Sequence, residues 1–302
     1  MRKIKFEEIV DVSKIGSKST KGLNELMILA NKDKVTPSRE DVEKVLFIGI
    51  DFQVDFMENG ELGVPNSHKD VERITRFLYQ NLEKITTIAL SLDTHELHQL
   101  FHASWWVDAK GNHPAPFTVI TREDVELGKW KAVEKQNESL AYIVQLERLG
   151  KKQLLIWPYH CIEGTFGAAL EGQFSNMVHF HSLIRQSRIQ KIVKGQDPLS
   201  EMYGIIKPEY AEADGTNYVF LHSLLAYDKI VIAGEAKSHC VLESVRQIVD
   251  YYVDEPELLS KIYLLDDCMS PIPGFEDSTE HACKELQNHM GIHIVKSTEF
   301  KL

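Results

Sequence analysis

The hydrophobic pattern of the chain changes at about residue 44. Residues 1–44 are polar and rich in charge, with one helix-like stretch at Gly22–Asn31. From Val45 onwards, short apolar runs alternate with segments whose apolar residues recur at helical spacing. We interpret residues 1–44 as an N-terminal extension, because so short a segment cannot bury its own core. We interpret residues 45–302 as one domain.

Strand-length apolar runs recur through this domain, and several are continuous rather than alternating, as in strands that are buried on both faces. The strand candidates are Val45–Asp51, Ile85–Asp93, Pro116–Ile120, Gln153–Trp157, Lys191–Lys194, Asp228–Gly234, Lys261–Asp267 and Gly291–Val295. Helical patterns lie between several of them, at His68–Leu82, Gly167–His179, Cys240–Tyr252 and Asp277–Met290. This alternation predicts an α/β fold whose parallel sheet carries helices on both faces.

One segment, at about residues 103–152, interrupts the alternation. It is rich in charged residues and contains Trp105, Trp106 and Trp130. We interpret it as an insertion in the domain. Since loops of this length commonly carry function, we expect it to shape the mouth of a binding site, with a subunit contact as the alternative.

Composition narrows the class of protein. Hydrophobic residues make up 43% of the 302 positions and charged residues 26%, which is an ordinary globular balance. The formal net charge of −11 argues against a nucleic-acid partner. The apolar runs are too short to span a bilayer, so we expect no membrane partner. Four cysteines without a CxxC pair and no apolar leader predict a reduced, cytoplasmic protein.

Reactive side chains follow the predicted strands. Cys240 comes shortly after one strand and opens a helix, where the positive helix terminus favours a thiolate. Asp51 and Lys194 end two other strands. Because parallel strands end at one edge of the sheet, a carboxylate, an ammonium and a thiol can meet there. The alternatives are a buried structural cysteine and a structural Asp–Lys ion pair.

A second cluster indicates a metal. Asp93 and His95 end a strand at positions that point the same way, so both can bind one ion. His160, after a later strand, is the candidate third ligand. Imidazole with carboxylate suits Zn, Fe(II), Mn or Ni better than Ca or Mg. The alternative is a polar surface pair without a metal.

Taken together, five motifs resemble the isochorismatase-like cysteine hydrolases, and most closely their nicotinamidase/pyrazinamidase branch. They are Asp51-Phe52-Gln53-Val54-Asp55-Phe56, Asp93-Thr94-His95, Trp157-Pro158-Tyr159-His160-Cys161, Val193-Lys194-Gly195 and the run from Ala233 to Val241. The resemblance covers roughly residues 45–296. It implies a three-layer α/β/α sandwich on a six-stranded, mainly parallel sheet.

The resemblance also implies roles and partners. Asp51 matches the general base, Lys194 the catalytic lysine and Cys240 the nucleophile. The implied oxyanion hole consists of the backbone N–H groups of Cys240 and of Ala236, which follows a cis peptide bond. The remaining matches are the metal ligands Asp93, His95 and His160, the further ligand His102 of some members, and the aromatic walls Phe56 and Trp157. The implied cofactor is one divalent transition metal, Zn first, with Fe or Mn as alternatives. The implied partners are a small amide substrate and further copies of the chain in a homo-oligomer.

The sequence therefore predicts hydrolysis of a small, planar, nicotinamide-like carboxamide to acid and ammonia through a thioester. The turn Glu235–His239 and the segment after Lys194 depart from the family pattern, which leaves the substrate open. A metal-centred hydrolase of ureido or carbamoyl compounds is one alternative, and a catalytically silent metabolite-binding protein is another. Isochorismate hydrolysis is disfavoured, because that branch usually lacks the metal ligands and the cysteine.

Overall fold

A six-stranded parallel sheet forms the centre of the molecule. The structure is a computed structural model that describes residues 3–150, 152–211 and 213–302. In order across the sheet, the strands are β10 (His293–Val295), β9 (Ile262–Leu265), β8 (Lys229–Gly234), β1 (Val45–Ile50), β2 (Thr87–Asp93) and β7 (Gln190–Lys194). Every neighbouring pair is parallel. The predicted sheet is confirmed, and the order reverses direction between β1 and β8.

Helices cover both faces, as the continuous apolar strands require. Phe47 of β1 packs in one core cluster with residues of α1 (Leu23–Ala30), α2 (Ser67–Gln80) and α5 (Gly172–Arg185). Its neighbours Leu46 and Ile48 point to the opposite face. There they pack with α6 (Tyr218–Ser223), α7 (Leu242–Tyr251) and α9 (Glu276–Met290). A short α8 spans Pro256–Leu259. The three-layer α/β/α sandwich is thereby confirmed.

Two of the predicted strands lie outside the central sheet. In the regions Pro116–Ile120 and Gln153–Trp157, only β4 (Val119–Ile120) and β6 (Leu154–Leu155) are extended, and they pair antiparallel with each other. Val119 is 39% exposed and Phe117 has a φ of 67°, so this run is neither buried on both faces nor extended throughout. A buried parallel strand needs both properties, which explains why the prediction was wrong there.

The segment at about 103–152 folds around a small core that also includes Phe101 and Trp157. It holds β3 (Trp106–Val107) paired with β5 (Lys131–Ala132), and the helices α3 (Arg122–Glu126) and α4 (Gln136–Leu149). The side chains of Trp105, Trp106 and Tyr142 are almost fully buried there. Two of the three tryptophans that marked the segment in the sequence, Trp105 and Trp106, therefore belong to its core, and Trp130 packs against it partly buried.

The N-terminal extension packs on the same face of the domain as α2 and α5. Ile4, Phe6 and Leu26 are buried in the core cluster that this face shares with the sheet. Asp41 forms an ion pair with Arg185 of α5, whose side chain is fully buried. The extension therefore completes a core to which the domain also contributes.

In the part of the chain that the structure describes, none of the helices has the length and apolar character needed to cross a bilayer.

This packing predicts that Leu26→Ala lowers the free energy of unfolding of the whole domain by about 2–4 kcal/mol, because it leaves a cavity in the shared core. Urea unfolding followed by circular dichroism measures the change. Ile28→Ala on the same helix is the matched control, since Ile28 is 64% exposed. It should change the free energy by less than about 0.5 kcal/mol. Equal effects of the two substitutions would contradict the packing.

Candidate active site

The reactive side chains predicted from the sequence meet at the carboxyl edge of the sheet, where the strand order reverses. Asp51 directly follows β1, and Asp93 and Lys194 are the last residues of β2 and β7, paired in register. Cys240 lies in one π-helical turn, Lys237–Val241, between β8 and α7. Such edges are where open α/β sheets bind ligands.

Lys194 is the centre of this cluster. Its Nζ lies 2.9 Å from Asp51 Oδ2, 3.0 Å from Asp93 Oδ1 and 3.8 Å from Cys240 Sγ. Asp51 has a φ of 50°, and its Oδ1 accepts a hydrogen bond of 2.5 Å from Ser91 Oγ. Asp51, Lys194 and Cys240 are 0%, 2% and 7% exposed. One buried contact therefore joins the carboxylate, the ammonium and the thiol.

Burial and the neighbouring charges shift the pKa values of Lys194, Asp51 and Cys240. Burial would lower the pKa of Lys194, but the carboxylates of Asp51 and Asp93 outweigh it and raise that pKa well above its ordinary value. Burial raises the pKa of Asp51 against the opposing effect of Lys194. Burial likewise raises the pKa of the Cys240 thiol against the opposing effect of the Lys194 ammonium, and the Asp51 carboxylate adds to the rise. Burial and the carboxylate both favour the thiol form of Cys240 beside Asp51.

Asp93, His95 and His160 form a cluster whose donor atoms all lie within 4.8 Å of one another. The Nδ1 atoms of His95 and His160 lie 3.0 Å from the carbonyl of Gly195 and 2.8 Å from that of Pro158. A carbonyl oxygen only accepts, so in each ring Nδ1 carries the hydrogen. The lone pairs of both Nε2 atoms then face Asp93 Oδ2, at 2.9 and 3.5 Å.

Nε2 of His95, Nε2 of His160 and Oδ2 of Asp93 can all accept hydrogen bonds and face one another, which fits a bound cation. The Nε2 lone pairs and the carboxylate repel one another unless a positive charge lies between them, and two imidazoles with one carboxylate are a common donor set for Zn²⁺. Burial would raise the pKa of Asp93, but His95 and Lys194 outweigh it and hold that pKa well below its ordinary value. The predicted ligands therefore lie together, with their donor atoms close enough to hold one divalent metal.

His102, the fourth predicted ligand, lies beside this cluster without belonging to it. Its ring centroid is 5.8 Å from that of His95 and 6.3 Å from that of His160. The ring is fully buried, and neither nitrogen has a hydrogen-bond partner among the described residues. Burial lowers the pKa of His102 to about 3, so the ring is neutral. An unpaired buried imidazole next to the three ligands is a further feature that fits a metal.

A cavity opens over both clusters, with a volume of about 530 Å³ when its open mouth is counted. The predicted aromatic walls Phe56 and Trp157 both line it, as does Ala236. The peptide bond before Ala236 is cis, as the resemblance implied. The other lining residues are Leu62, Val64, Asp93, His95, Phe101, His160, Lys194, Glu201, Met202, Tyr203, His239, Cys240 and Ile272. Among the described lining residues none comes from 103–152, so that segment lies behind the wall and not at its mouth.

Several residues that the sequence analysis did not assign hold the site in place. Gln53 makes two hydrogen bonds of 2.7 Å to the backbone N–H and carbonyl of Asp93. Asp55 Oδ2 accepts a bond of 2.7 Å from the backbone N–H of Cys161, next to His160. Gln99 Nε2 donates to the Gly195 carbonyl that also orients His95. Gln53 and Asp55 belong to the motif Asp51–Phe56, so the sequence contained a signal for them. Gln99 belongs to none of the five motifs, and nothing in the sequence marked it.

No protein-family model matches the chain, and no curated protein matches it in sequence. Solved structures do match it. The TM-score is 0.58 to the yeast nicotinamidase bound to the inhibitor nicotinaldehyde, at 19% identity over 83% of this chain and 99% of that one. It is 0.57 to a nicotinamidase/pyrazinamidase of Acinetobacter baumanii, at 18% identity over 86% and 99%. It is 0.50 to the Pyrococcus horikoshii pyrazinamidase in complex with zinc, at 19% identity over 84% and 99%. The fold implied by the sequence resemblance is therefore confirmed.

Gly195 gives a direct test of the metal cluster. A Cβ at this position would lie 2.5 Å from His95 Cε1 and 2.7 Å from Asp93 Oδ1. Gly195→Ala should therefore displace both ligands and weaken metal binding by about 10-fold or more, as measured by titration calorimetry with Zn²⁺. Gly111→Ala is the matched control, because its φ of 84° imposes similar backbone strain while no atom lies within 4 Å of the new Cβ. If both variants bind Zn²⁺ like the unmodified chain, the metal cluster is wrongly assigned.

Proposed function

We propose that this chain is a metal-containing cysteine amidohydrolase that cleaves a small, planar carboxamide to a carboxylic acid and ammonia. The observation that carries the proposal is the buried contact of Lys194 with Asp51 and with Cys240, at 2.9 and 3.8 Å. Lys194 and Cys240 line the same cavity as Asp93, His95 and His160. The fold shared with nicotinamidases and pyrazinamidases supports the proposal.

The first half of the reaction forms a thioester. Asp51 accepts the thiol proton, and the Cys240 sulfur adds to the carbonyl carbon of the amide while Lys194 stabilises the negative charge. The N–H groups of Ala236 and Cys240 receive the developing oxyanion, and one such donor is typically worth about 3 kcal/mol of the barrier. The C–N bond then breaks as Asp51 returns the proton to the nitrogen. Ammonia leaves, and the acyl group remains on Cys240.

The second half releases the acid. Asp51 takes a proton from water, whose oxygen adds to the thioester carbonyl, and the C–S bond breaks. The proton returns from Asp51 to the Cys240 sulfur as the acid departs.

Phe56 and Trp157 form apolar walls beside His160, which suit a planar ring. Asp93, His95 and His160 would hold one divalent metal, zinc first, with iron or manganese as alternatives. When bound, the metal supplies a Lewis acid that orders substrate and water.

Replacing the nucleophile tests the thioester. Cys240→Ala should lower kcat by at least about 10³-fold, because no other group in the cavity can form the acyl intermediate. Ammonia release from a panel of primary amides and ureido compounds measures the loss, and mass spectrometry of the quenched unmodified enzyme should show an acyl adduct on Cys240. Cys283→Ala, at a buried cysteine on α9 away from the cavity, should retain activity. Activity of Cys240→Ala within tenfold of the unmodified enzyme would favour a metal-centred hydrolase instead.

Removing ligands tests the metal. The purified protein should contain about one transition-metal ion per chain, and the double variant His95→Ala/His160→Ala should contain almost none, because a single carboxylate remains. Elemental analysis measures both. His281→Ala is the control, since its side chain is 75% exposed on α9. Equal metal content in the double variant and the control would reject the cluster as a metal site.

A further inference from the structure

The wall of the cavity contains a carboxylate that the mechanism does not use. Glu201 lines the cavity and is only 3% exposed. Its Oε1 accepts hydrogen bonds from Tyr203 Oη at 2.7 Å and from Trp157 Nε1 at 3.1 Å. Its Oε2 accepts one bond, of 3.0 Å, from Tyr142 Oη. The carboxylate is therefore held in one orientation by three neutral side chains.

No cation balances this charge in the part of the chain that the structure describes. Lys152 is close, but its Nζ pairs with Glu209 at 2.9 Å and with Glu243 at 3.2 Å. His239 packs against Trp157 and Tyr203, and burial lowers its pKa to about 4, so it is neutral near pH 7. Burial also raises the pKa of Glu201 to about 7. A buried carboxylate without a positive partner is costly unless something else supplies one.

Counting acceptor sites shows where such a partner fits. Each carboxylate oxygen can accept two hydrogen bonds. Oε1 of Glu201 already accepts two, whereas Oε2 accepts one and keeps one site free. Tyr142 Oη also accepts a bond of 3.1 Å from the Glu201 backbone N–H, which fixes the tyrosine and, through it, Oε2. Glu201 lines the cavity, so a hydrogen-bond donor on a ligand there can fill the acceptor site that the carboxylate keeps free.

We propose that Glu201 determines substrate specificity by binding an amino group on the ring of the carboxamide substrate. The inference rests on the proposed function, because it takes the cavity beside Cys240 as the substrate site. It gives the inserted segment a role as well, since Tyr142 belongs to α4 and orients the carboxylate from behind the wall. A plain ring without a donor leaves the last acceptor site of the carboxylate empty and binds less well.

Binding measurements test this without requiring turnover. In the Cys240→Ala chain at pH 8.5, where Glu201 is ionised, calorimetry compares a pyridine carboxamide with its amino-substituted isomers. At least one isomer should bind about 10-fold or more tightly than the parent. Adding Glu201→Gln should abolish or reverse that preference, because an amide N–H₂ then replaces the acceptor Oε2. Glu209→Gln, at a carboxylate outside the cavity wall, is the matched control and should leave the ranking unchanged.

Two results would overturn the proposal. One is that no amino-substituted isomer binds more tightly than the parent. The other is that Glu201→Gln weakens all the amides by the same factor, which is the result expected if Glu201 only supports Trp157. Should Glu201→Gln fail to fold, Tyr142→Phe replaces it. Tyr142 Oη fixes the carboxylate, so its loss should weaken the preference for the amino-substituted isomers, and an unchanged preference would count against the proposal.

The outcome is separable from that of the proposed function. The affinities are measured in a chain that lacks the Cys240 thiol, so they do not depend on a thioester. If Cys240→Ala retained turnover, the chemistry would need another route, while the role of Glu201 would still be decided by the ranking of the amides. If the thioester is confirmed and the ranking is flat, the specificity proposal alone is wrong.

Discussion

The site depends on one interaction, the placement of the Lys194 ammonium between the carboxylates of Asp51 and Asp93. Two carboxylates at a buried sheet edge repel each other, and neither tolerates loss of water unless a cation is adjacent. Lys194 contacts both at about 3 Å and also reaches the Cys240 sulfur. It therefore links the half of the site that holds the nucleophile to the half that holds the metal ligands.

The surrounding fold makes that placement possible. The parallel register sets Asp93 beside Lys194 on neighbouring strands, and the order of strands brings Asp51 and the Cys240 turn to the same edge. Polar side chains then fix what the strands bring together: Ser91 holds one oxygen of Asp51, and Gln53 holds the backbone of Asp93. Buried charges are stable here because each has a dedicated partner, which is the general condition for such clusters.

The N-terminal extension and the inserted segment at about 103–152 lie at different places relative to the reactive side chains. The N-terminal extension packs on the helical face formed by α2 and α5 and completes a shared core. The inserted segment forms a small core together with Phe101 and Trp157 of the cavity wall, and its Tyr142 contacts Glu201. Neither part of the chain contributes a residue to the Asp51–Lys194–Cys240 contact.

The sequence by itself determined the α/β class and located the six central strands among eight candidates, together with the charged side chains that follow those strands. Continuous apolar runs indicate strands buried on both faces, and a charged residue directly after such a run must lie at the sheet edge, which located Asp51, Asp93 and Lys194. The same logic failed for the runs near Val119 and Leu154, because a short apolar run does not reveal whether it is covered on one face or on both.

What only the tertiary structure decided were the contacts between residues far apart in the chain. Gln99 against Gly195 and Glu201 against Tyr142 carry no local signal, since each pairing is set by how separate elements pack. His102 is an instance of the same limit: the motif indicated a ligand, and packing placed its ring beside the cluster of three. Periodicity and motif spacing report burial and residue type along the chain, whereas distances and orientations across a cavity arise only when the elements come together.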